Sequence, residues 1–356
     1  MSSATGAGAS PPWPTVLRLV FGGMATHVFA LAVRLRLPDA IGDGERDAAD
    51  LAAEFGVQEG PMLRLLRGLA SLDVLTEPGP GRFALTAVGG LLRRDQPGSM
   101  YPLARMLTDP MMATAWQNLE FSLRTGGPAF DKTFGTDFFG YLAEHPDLSQ
   151  LYNSAMSHGT RGIARTIADE YDFGRHDLIV DVGGGDGTTL TEILTAHPGP
   201  RGVVYDTPTG VAGAVNALAA AGLTARCQVR TGDFFSEVPP AADLYLLKSV
   251  LHGWDDEQAA VILRNCARDA AKHGRVLVVE HLLPDTVPPP NVPPGAVPSE
   301  QHFITYLNDL NLLVNGRGRE RTHADFAALC AEAGLRLDRT SPLTTTNFHC
   351  IEISLD

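Results

Sequence analysis

The chain has 356 residues, 44% of them hydrophobic and 19% charged, a composition that excludes an intrinsically disordered protein and is sufficient for two domains. Its 28 Lys and Arg residues are outnumbered by 41 Asp and Glu residues, and the formal charge of -13 argues against nucleic acid as a main partner. The four cysteines form no C-x-x-C pair, which argues against a disulfide framework or a zinc cluster and indicates reduced thiols in a cytoplasm (Cys227, Cys266, Cys330 and Cys350).

The N-terminal residues show no targeting or membrane signal. Residues 1–14 lack both the basic and the apolar regions of a signal peptide, and we expect them to be disordered. The nearly apolar run from Leu19 to Val33 contains His27 and a Gly-Gly pair, and it is shorter than the roughly 18 to 20 apolar residues of a membrane span. The sequence therefore predicts a cytoplasmic protein with no membrane partner.

Residues 15–100 have the pattern of a winged-helix domain. Short helical segments precede a longer one whose apolar side chains fall along one side, namely Met62, Leu65, Leu66, Leu69 and Leu72. A Pro-Gly-Pro-Gly stretch and a short alternating run then predict a small hairpin or wing. The candidate recognition helix offers only Arg64 and Arg67 to a duplex, so we expect this domain to serve packing or dimerisation rather than DNA binding.

The remaining sequence changes from helical to alternating elements. Residues 101–170 read as a helical linker, rich in methionine and aromatic residues and without a strand pattern. From residue 171 to residue 356, short apolar runs alternate with helical stretches, beginning with DLIVDVGGGDG and ending with HCIEISL. This alternation predicts an α/β domain with a mostly parallel, doubly wound sheet. The proline-rich stretch 284–300 cannot be helix or central strand, and we expect an exposed loop there.

A glycine loop follows the first strand of this α/β domain, where open sheets bind their ligands. Gly183, Gly185 and Gly187 give the spacing G-x-G-x-G, whereas the dinucleotide fingerprint needs glycine or alanine at the position of Thr188, so NAD is disfavoured. Asp206 ends the next strand-like run, 19 residues beyond Gly187, at about the interval expected of a carboxylate that holds ribose hydroxyls. The pattern favours a nucleoside ligand, with a tight structural turn as the alternative.

Six motifs occur in order along the chain: LIVDVGGGDG, VVYDTP, GDFF, LLKSVLHGWDDE, VVEHLLPD and DLNLLVNGRGRERT. In these motifs the chain resembles the S-adenosylmethionine-dependent small-molecule O-methyltransferases of the plant-type family, which includes caffeate enzymes and many bacterial tailoring enzymes. The resemblance covers nearly the whole chain. It implies a Rossmann-like catalytic domain over 171–356, a homodimer formed through the N-terminal winged helix, and S-adenosyl-L-methionine as cofactor with S-adenosyl-L-homocysteine as product.

The resemblance also assigns roles to residues around the cofactor. It implies that the glycine loop borders the methionine and ribose, that Asp206 takes the ribose hydroxyls, that Asp233 and Phe234 contact the adenine, and that a lysine lies on the cofactor side (Gly183, Gly185, Asp206, Asp233, Phe234 and Lys248). This is chemically consistent, because a carboxylate can accept a hydrogen bond from an exocyclic amine and an aromatic face can stack on a purine. For Asp233 the alternative is a turn or helix-cap residue.

His252 is the candidate general base. It directly follows a strand-like run, at the carboxyl edge of the predicted sheet. A phenol with a pKa of about 10 is mostly protonated at neutral pH, and a positioned base can contribute roughly 10²- to 10⁴-fold. The resemblance places Glu280 and Glu320 beside the base, where a carboxylate would fix the imidazole tautomer. For Glu320 the alternatives are a capping-box partner or an ion pair with Arg319 or Arg321.

The acceptor pocket is expected to be apolar with few polar contacts. By the resemblance, the helical linker contributes to this pocket, and the family commonly has an acidic residue directly after the base, where this chain has Gly253. The missing acidic side chain affects how the acceptor is oriented in the pocket, and it does not affect the class of enzyme. The positions at which relatives line the pocket are Trp116, Met156, Asn308 and Asn311, although Trp116 and Met156 could equally belong to the core.

The predicted activity is O-methylation of a phenolic hydroxyl on a small aromatic or polyketide-type secondary metabolite. No metal is predicted, because no Asp and Asn cluster suited to magnesium accompanies the glycine loop. One alternative is a relative that binds the cofactor without O-methylation, either hydroxylase-like or transferring methyl to nitrogen or carbon; hydroxylase-like relatives typically lack the base that His252 supplies. The other is a winged-helix regulator with a cofactor-binding sensor domain, which the acidic charge disfavours.

Overall fold

The computed structural model describes residues 13–287, 299–344 and 346–355. The chain divides into two compact units, one ending at Pro110 and the other beginning at Met111. Residues 1–12 of the predicted disordered segment and residues 288–298 of the predicted proline-rich loop lie outside the described residues. The prediction of disorder was wrong for Trp13 and Pro14, which are the first two residues of a helix. Proline is well tolerated there, because the first-turn N–H groups have no partner within the helix.

The first unit is mostly helical and contains a three-stranded antiparallel sheet of order β1-β3-β2. The hairpin of β2 and β3 is the predicted wing, so the winged-helix prediction is confirmed. Part of the predicted apolar stripe is buried, since Met62, Leu66 and Leu69 of α4 pack in one core with Phe83 of β3. The elements of this unit are α1 (Trp13–Leu35), α2 (Leu37–Ile41), β1 (Glu45–Asp47), α3 (Ala48–Phe55), α4 (Glu59–Ser71), β2 (Leu75–Gly79), β3 (Arg82–Leu85), α5 (Ala87–Gly90) and α6 (Tyr101–Leu107).

Helix α1 contains the apolar run from Leu19 to Val33 and is longer than that run. It has 23 residues, and by length and composition alone it could cross a membrane, so the length argument against a span does not hold. Only 17% of its most apolar window is buried within the structure. An exposed apolar surface of this kind marks an interaction site. We call it the α1 face, and its exposed apolar side chains are Trp13, Val16, Leu17, Leu19, Val20, Phe21 and Met24.

The second unit is an α/β domain preceded by a run of helices. Its helices are α7 (Pro110–Trp116), α8 (Leu119–Thr125), α9 (Ala129–Phe134), α10 (Phe138–Glu144), α11 (Pro146–Glu170), α12 (Thr188–Ala196), α13 (Ala214–Ala220), α14 (Asp256–Asp269), α15 (Ser299–Asn315) and α16 (His323–Glu332). Its strands are β4 (Leu178–Val182), β5 (Arg201–Asp206), β6 (Cys227–Thr231), β7 (Leu244–Lys248), β8 (Arg275–Leu283), β9 (Arg321–Thr322), β10 (Arg336–Pro342) and β11 (Phe348–Ser354).

The strands form a mixed sheet of order β10-β11-β8-β7-β4-β5-β6, with the short β9 paired to β8. Strands β4 to β8 run parallel, and β11 and β10 add an antiparallel edge. The central strands are almost wholly apolar because helices cover both faces of such a sheet. The chain leaves β4 toward β5 and returns on the other side at β7. The carboxyl ends of β4 and β7 therefore define the switch point where open α/β sheets bind ligands.

Candidate active site

Three glycines shape the loop between β4 and α12. Gly183, Gly185 and Gly187 have φ values of 73°, 55° and 77°, in the left-handed region that favours glycine. A Cβ at Gly183 would approach Val250 Cγ2 to 2.7 Å, whereas a Cβ at Gly185 would meet no atom of the described residues within 4 Å. The loop is thus packed at Gly183 and open at Gly185. A ligand can approach the backbone at Gly185, close to the N-terminus of α12.

Asp206 links the carboxyl end of β5 to this loop. Its Oδ2 accepts a hydrogen bond from the Gly185 N–H at 2.9 Å, and its Oδ1 accepts one from the Thr207 N–H at 2.6 Å. Each carboxylate oxygen can accept a further hydrogen bond. The half-buried Asp206 therefore retains acceptor capacity for hydroxyl groups beside the open glycine position, and this pair of residues fits the ribose of a nucleoside.

Asp233 and Phe234 follow β6 at the same edge of the sheet. Asp233 is exposed, and its carboxylate accepts hydrogen bonds from the Phe235 N–H at 2.9 Å and the Ser236 hydroxyl at 3.1 Å. These are the bonds of a turn residue, which was the alternative for Asp233. Phe234 packs edge-on against Trp254, with ring centroids 5.9 Å apart. An aromatic surface is thus present beside Asp233, and contact with adenine stays a prediction.

A half-buried lysine and a buried aspartate lie near the carboxyl ends of β7 and β4, respectively. Lys248 donates from Nζ to the Oγ1 of Thr160 on α11 at 2.9 Å. Burial lowers the pKa of Lys248 to about 8, although Glu280 and Asp181 oppose that shift. Burial raises the pKa of Asp181 to about 7. Sequence reasoning missed Thr160, for which the sequence holds no signal because its contact depends on how α11 packs. It also passed over Asp181, although Asp181 stands within the quoted DVGGG motif.

The structure brings His252, Glu280 and Glu320 together. His252 lies in the short helical turn Leu251–Gly253 that follows β7. Its Nδ1 is 3.2 Å from Glu320 Oε1 and 3.6 Å from Glu280 Oε2, and its backbone N–H donates to Glu280 Oε1 at 3.3 Å. Both carboxylates are buried, whereas the side chain of His252 is 20% exposed. An imidazole held by two carboxylates therefore stands at the edge of the site.

The charges of this cluster are strongly coupled. Burial of His252 favours its neutral form, but Glu280 and Glu320 outweigh burial and raise the pKa of His252 to about 9. Burial raises the pKa of Glu280 above its usual value. Burial acts in the same direction on Glu320, but its hydrogen bond with His252 and the nearby charge lower its pKa overall. In this state His252 is protonated at neutral pH, and at least Glu320 is ionised.

Glu320 is oriented by other residues of the chain. Its Oε1 accepts a hydrogen bond from Asn308 Nδ2 at 2.7 Å, and its backbone N–H donates to Asp309 Oδ1 at 2.8 Å. The structure contradicts both alternative interpretations of Glu320. The capping box of α16 is made by Thr322 and Asp325. The two arginines that flank Glu320 pair with aspartates instead, Arg319 with Asp256 and Asp325, and Arg321 with Asp256.

The same three side chains meet a geometric criterion for a metal site. Ligand atoms of His252, Glu280 and Glu320 all lie within 4.8 Å of one another. The Oε2 atoms of Glu280 and Glu320 are buried, and neither has a hydrogen-bond partner among the described residues. The protonated imidazole already supplies a cation to these carboxylates. That the site holds no metal stays a prediction from the sequence.

The four proposed acceptor residues have three different surroundings. Trp116 and Asn311 lie together, since Trp116 Nε1 donates to Asn311 Oδ1 at 3.0 Å and the same oxygen accepts from Asn315 Nδ2 at 2.8 Å. Asn308 is instead joined to Glu320. Met156 is 42% exposed on α11, which argues against its alternative role as a core residue. Contact of these four side chains with an acceptor stays a prediction.

The fold and the site define an α/β protein with an open glycine loop and an imidazole–carboxylate centre at the switch point of its sheet. Two family models match the chain: an O-methyltransferase domain over residues 116–336 and an O-methyltransferase dimerisation domain over residues 17–95. The chain therefore belongs to the O-methyltransferase family, and it is an S-adenosylmethionine-dependent O-methyltransferase.

Relatives cover almost the whole chain. The O-demethylpuromycin-O-methyltransferase of Streptomyces alboniger is 45% identical over 95% of this chain and 88% of its own length. The phenazine O-methyltransferase of Lysobacter antibioticus is 36% identical over 96% of each chain, and the 3-amino-4-hydroxybenzoate 4-O-methyltransferase of Streptomyces cremeus is 38% identical over 93% and 87%. The solved structure of the mitomycin 7-O-methyltransferase matches with a TM-score of 0.87 at 34% identity, covering 96% of this chain and 97% of the other.

Proposed function

We propose that this enzyme methylates a phenolic hydroxyl of a small aromatic or polyketide-type secondary metabolite, with His252 as the general base. The observation that carries the proposal is the Nδ1 of His252, which lies 3.2 and 3.6 Å from the carboxylates of Glu320 and Glu280. The acceptor class is supported by relatives whose names refer to O-demethylpuromycin, a phenazine and 3-amino-4-hydroxybenzoate.

The cofactor would be held by the glycine loop and the carboxyl ends of β5, β6 and β7. S-adenosylmethionine, when bound, supplies an electrophilic methyl group on a good leaving group. Solved relatives bound to this cofactor or to S-adenosyl-L-homocysteine support the assignment. The residues proposed to hold the cofactor are Gly183, Gly185, Asp206, Asp233, Phe234 and Lys248, and the open backbone at Gly185 beside the Asp206 carboxylate is what fits its ribose.

His252 would use its second ring nitrogen on the acceptor. Because Nδ1 faces the two carboxylates, a proton on Nδ1 is held there and Nε2 is left to take the phenolic proton. Glu280 and Glu320 then stabilise the imidazolium that forms. Deprotonation makes the acceptor oxygen a stronger nucleophile, which is the step that the protein contributes beyond alignment.

The proposal is tested with methyl-labelled S-adenosylmethionine and a panel of hydroxybenzoates, naphthols and hydroxyphenazines. We expect the label on an aromatic oxygen, located by mass spectrometry and NMR. A label found only on nitrogen or carbon would favour the alternative in which the chain does not perform O-methylation. A hydroxylated product without label would favour a hydroxylase-like relative.

The pH dependence of activity follows from the charge of the base. The pKa of His252 is raised to about 9, and the ring must be neutral to accept a proton, so kcat/KM should rise with pH toward about 9. Glu320→Gln removes a charge that favours the imidazolium, and we expect the inflection to move to lower pH while the maximal rate falls. The matched control is the exposed Glu332 on α16, changed to Gln. An inflection unmoved in Glu320→Gln would contradict the assigned role of this carboxylate.

The chain contains a dimerisation domain, and we propose that the α1 face forms a homodimer in the cytoplasm. Leu19 is 75% exposed on this face, so Leu19→Asp would place a charge in the apolar contact. We expect wild type to elute as a dimer and Leu19→Asp as a monomer in size-exclusion chromatography with light scattering. The control is Leu123→Asp, 77% exposed on α8 outside the matched dimerisation domain. A monomeric wild type, or wild type that sediments with membranes, would contradict the proposal.

A further inference from the structure

Arg321 is a fully buried arginine next to Glu320. Its side chain has a relative exposure of 0%, and it is among the largest fully buried side chains of the described residues. Its backbone is the first position of β9 and pairs with Leu282 of β8, the strand that carries Glu280. The main chain of Arg321 is therefore linked to both glutamates of the site, to one by sequence and to the other by strand pairing.

The guanidinium of Arg321 binds the turn that carries His252. Its Nη1 donates to the Leu251 carbonyl at 2.8 Å and its Nη2 to the Trp254 carbonyl at 2.9 Å. These carbonyls lie one residue before and two residues after His252. Nε and Nη2 also contact Asp256 Oδ1 at 2.9 and 2.8 Å, so three acceptors are bound at once. The planar fork of arginine provides this geometry, whereas the single ammonium of lysine does not.

The segment that leads to Arg321 packs on the same turn. Gly318 is buried, and a Cβ there would stand 2.0 Å from the His252 carbonyl oxygen and 2.6 Å from the Gly253 carbonyl carbon. Any side chain at position 318 would therefore displace the backbone of the turn. The chain that enters the turn is also constrained, because Ser249, two residues before Leu251, has a φ of 54° in the left-handed region.

We propose that Arg321 is a positioning residue, which holds the turn of His252 so that the imidazole stays beside Glu280 and Glu320. The inference rests on the proposed role of His252 as the base. Arg321 joins the base and the two carboxylates into one unit: its side chain fixes the backbone on both sides of His252, and its main chain fixes the segments that carry the two carboxylates. A displacement of about 1 Å at a reacting group can cost on the order of 10²-fold in rate.

Arg321→Lys is the variant that tests the proposal, because it keeps the positive charge and the apolar stem but not the fork. We expect kcat to fall about tenfold while the dissociation constant of S-adenosylmethionine, measured by calorimetry, stays at the wild-type value. The inflection of kcat/KM against pH should also move to lower pH, because a ring that shifts from Glu320 loses the charge that raises its pKa. A loss of stability alone would leave that inflection in place.

Arg319→Lys is the matched control. Arg319 is adjacent to Glu320 on the other side and pairs with the same Asp256, at 3.1 Å, but its partners are carboxylates and not the carbonyls of the turn. We expect Arg319→Lys to keep the wild-type kcat and the wild-type pH profile. Gly318→Ala is the second test variant, because it displaces the turn without changing the guanidinium, and we expect the same fall in kcat and the same movement of the inflection.

Wild-type kcat and an unmoved inflection in folded Arg321→Lys would overturn the inference. So would Gly318→Ala with wild-type kinetics, because the turn would then tolerate displacement. These outcomes are separable from failure of the proposed function. If His252→Ala abolishes turnover while Arg321→Lys has wild-type kinetics, the assignment of His252 as the base is kept and only the positioning role of Arg321 is contradicted. If His252→Ala is fully active, the proposed function, with His252 as the general base, is itself contradicted.

Discussion

His252→Ala is expected to lower kcat by about 10²- to 10⁴-fold and to leave the dissociation constant of S-adenosylmethionine unchanged. The side chain contacts Glu280 and Glu320, which are not among the residues proposed to hold the cofactor. Its removal deletes the proton acceptor for the phenol and leaves the glycine loop and Asp206 intact. Single-turnover rates with a phenolic acceptor measure the chemical step, and calorimetry measures cofactor binding.

The control is His273→Asn, at an exposed histidine with a φ of 69°. Asparagine tolerates this left-handed backbone better than alanine does, so the control removes an imidazole without adding strain. We expect wild-type turnover from it. Unchanged turnover in His252→Ala would remove the base from the mechanism. The substrate would then have to reach the site already ionised, and the enzyme would act through alignment alone.

The outcome also separates the enzyme from its functional alternatives. A hydroxylase-like protein that bound the cofactor without methyl transfer would not need a base for a phenolic hydroxyl, and His252→Ala would leave its reaction unaffected. Burial of two carboxylates is costly unless they are paired with a cation. In this site the cation is the imidazolium itself, which is why the pKa of His252 is raised to about 9.

The fold class and the glycine loop could be predicted because both depend on local patterns. Apolar runs that alternate with helices specify a parallel sheet, and the left-handed φ values at Gly183, Gly185 and Gly187 require the residue type that marks the loop in the sequence. The apolar run from Leu19 to Val33 covers only part of α1, because residues 13–18 contain a proline and an arginine that interrupt the apolar pattern. A helix continues through such residues when they lie in its first turns.

The supporting contacts of the site could not be predicted, because they join segments far apart in the chain. Asn308 was expected to line the acceptor pocket, and nothing local indicates that its amide reaches Glu320. Arg321 was considered only as a partner of Glu320, although its guanidinium binds carbonyls about 70 residues earlier. Gly253 departs from the family pattern, and a Cβ there would meet no atom within 4 Å in the part of the chain that the structure describes, so these residues leave space for an acidic side chain.

Asp206→Ala is expected to weaken S-adenosylmethionine binding by about 100-fold or more while kcat at saturating cofactor changes little. Two hydrogen bonds to a carboxylate contribute about 1.5–3 kcal/mol each, and a factor of ten in affinity corresponds to about 1.4 kcal/mol. The substitution also frees the Gly185 N–H, which Asp206 Oδ2 holds at 2.9 Å. Asp206→Asn keeps one acceptor oxygen without the charge, so its dissociation constant should fall between those of wild type and Asp206→Ala.

The matched control for Asp206 is Asp243→Ala. The Asp243 carboxylate also accepts two backbone hydrogen bonds, from Asp177 at 3.2 Å and Leu178 at 2.8 Å, but it precedes β7 and so lies at the opposite end of the sheet. If Asp206 served only to anchor the end of a strand, Asp206→Ala and Asp243→Ala would both lose stability, and Asp206→Ala would show no additional loss of affinity for S-adenosylmethionine. A cofactor dissociation constant unaltered in Asp206→Ala would therefore withdraw its ribose contact and leave Asp206 only its hydrogen bond to the glycine loop.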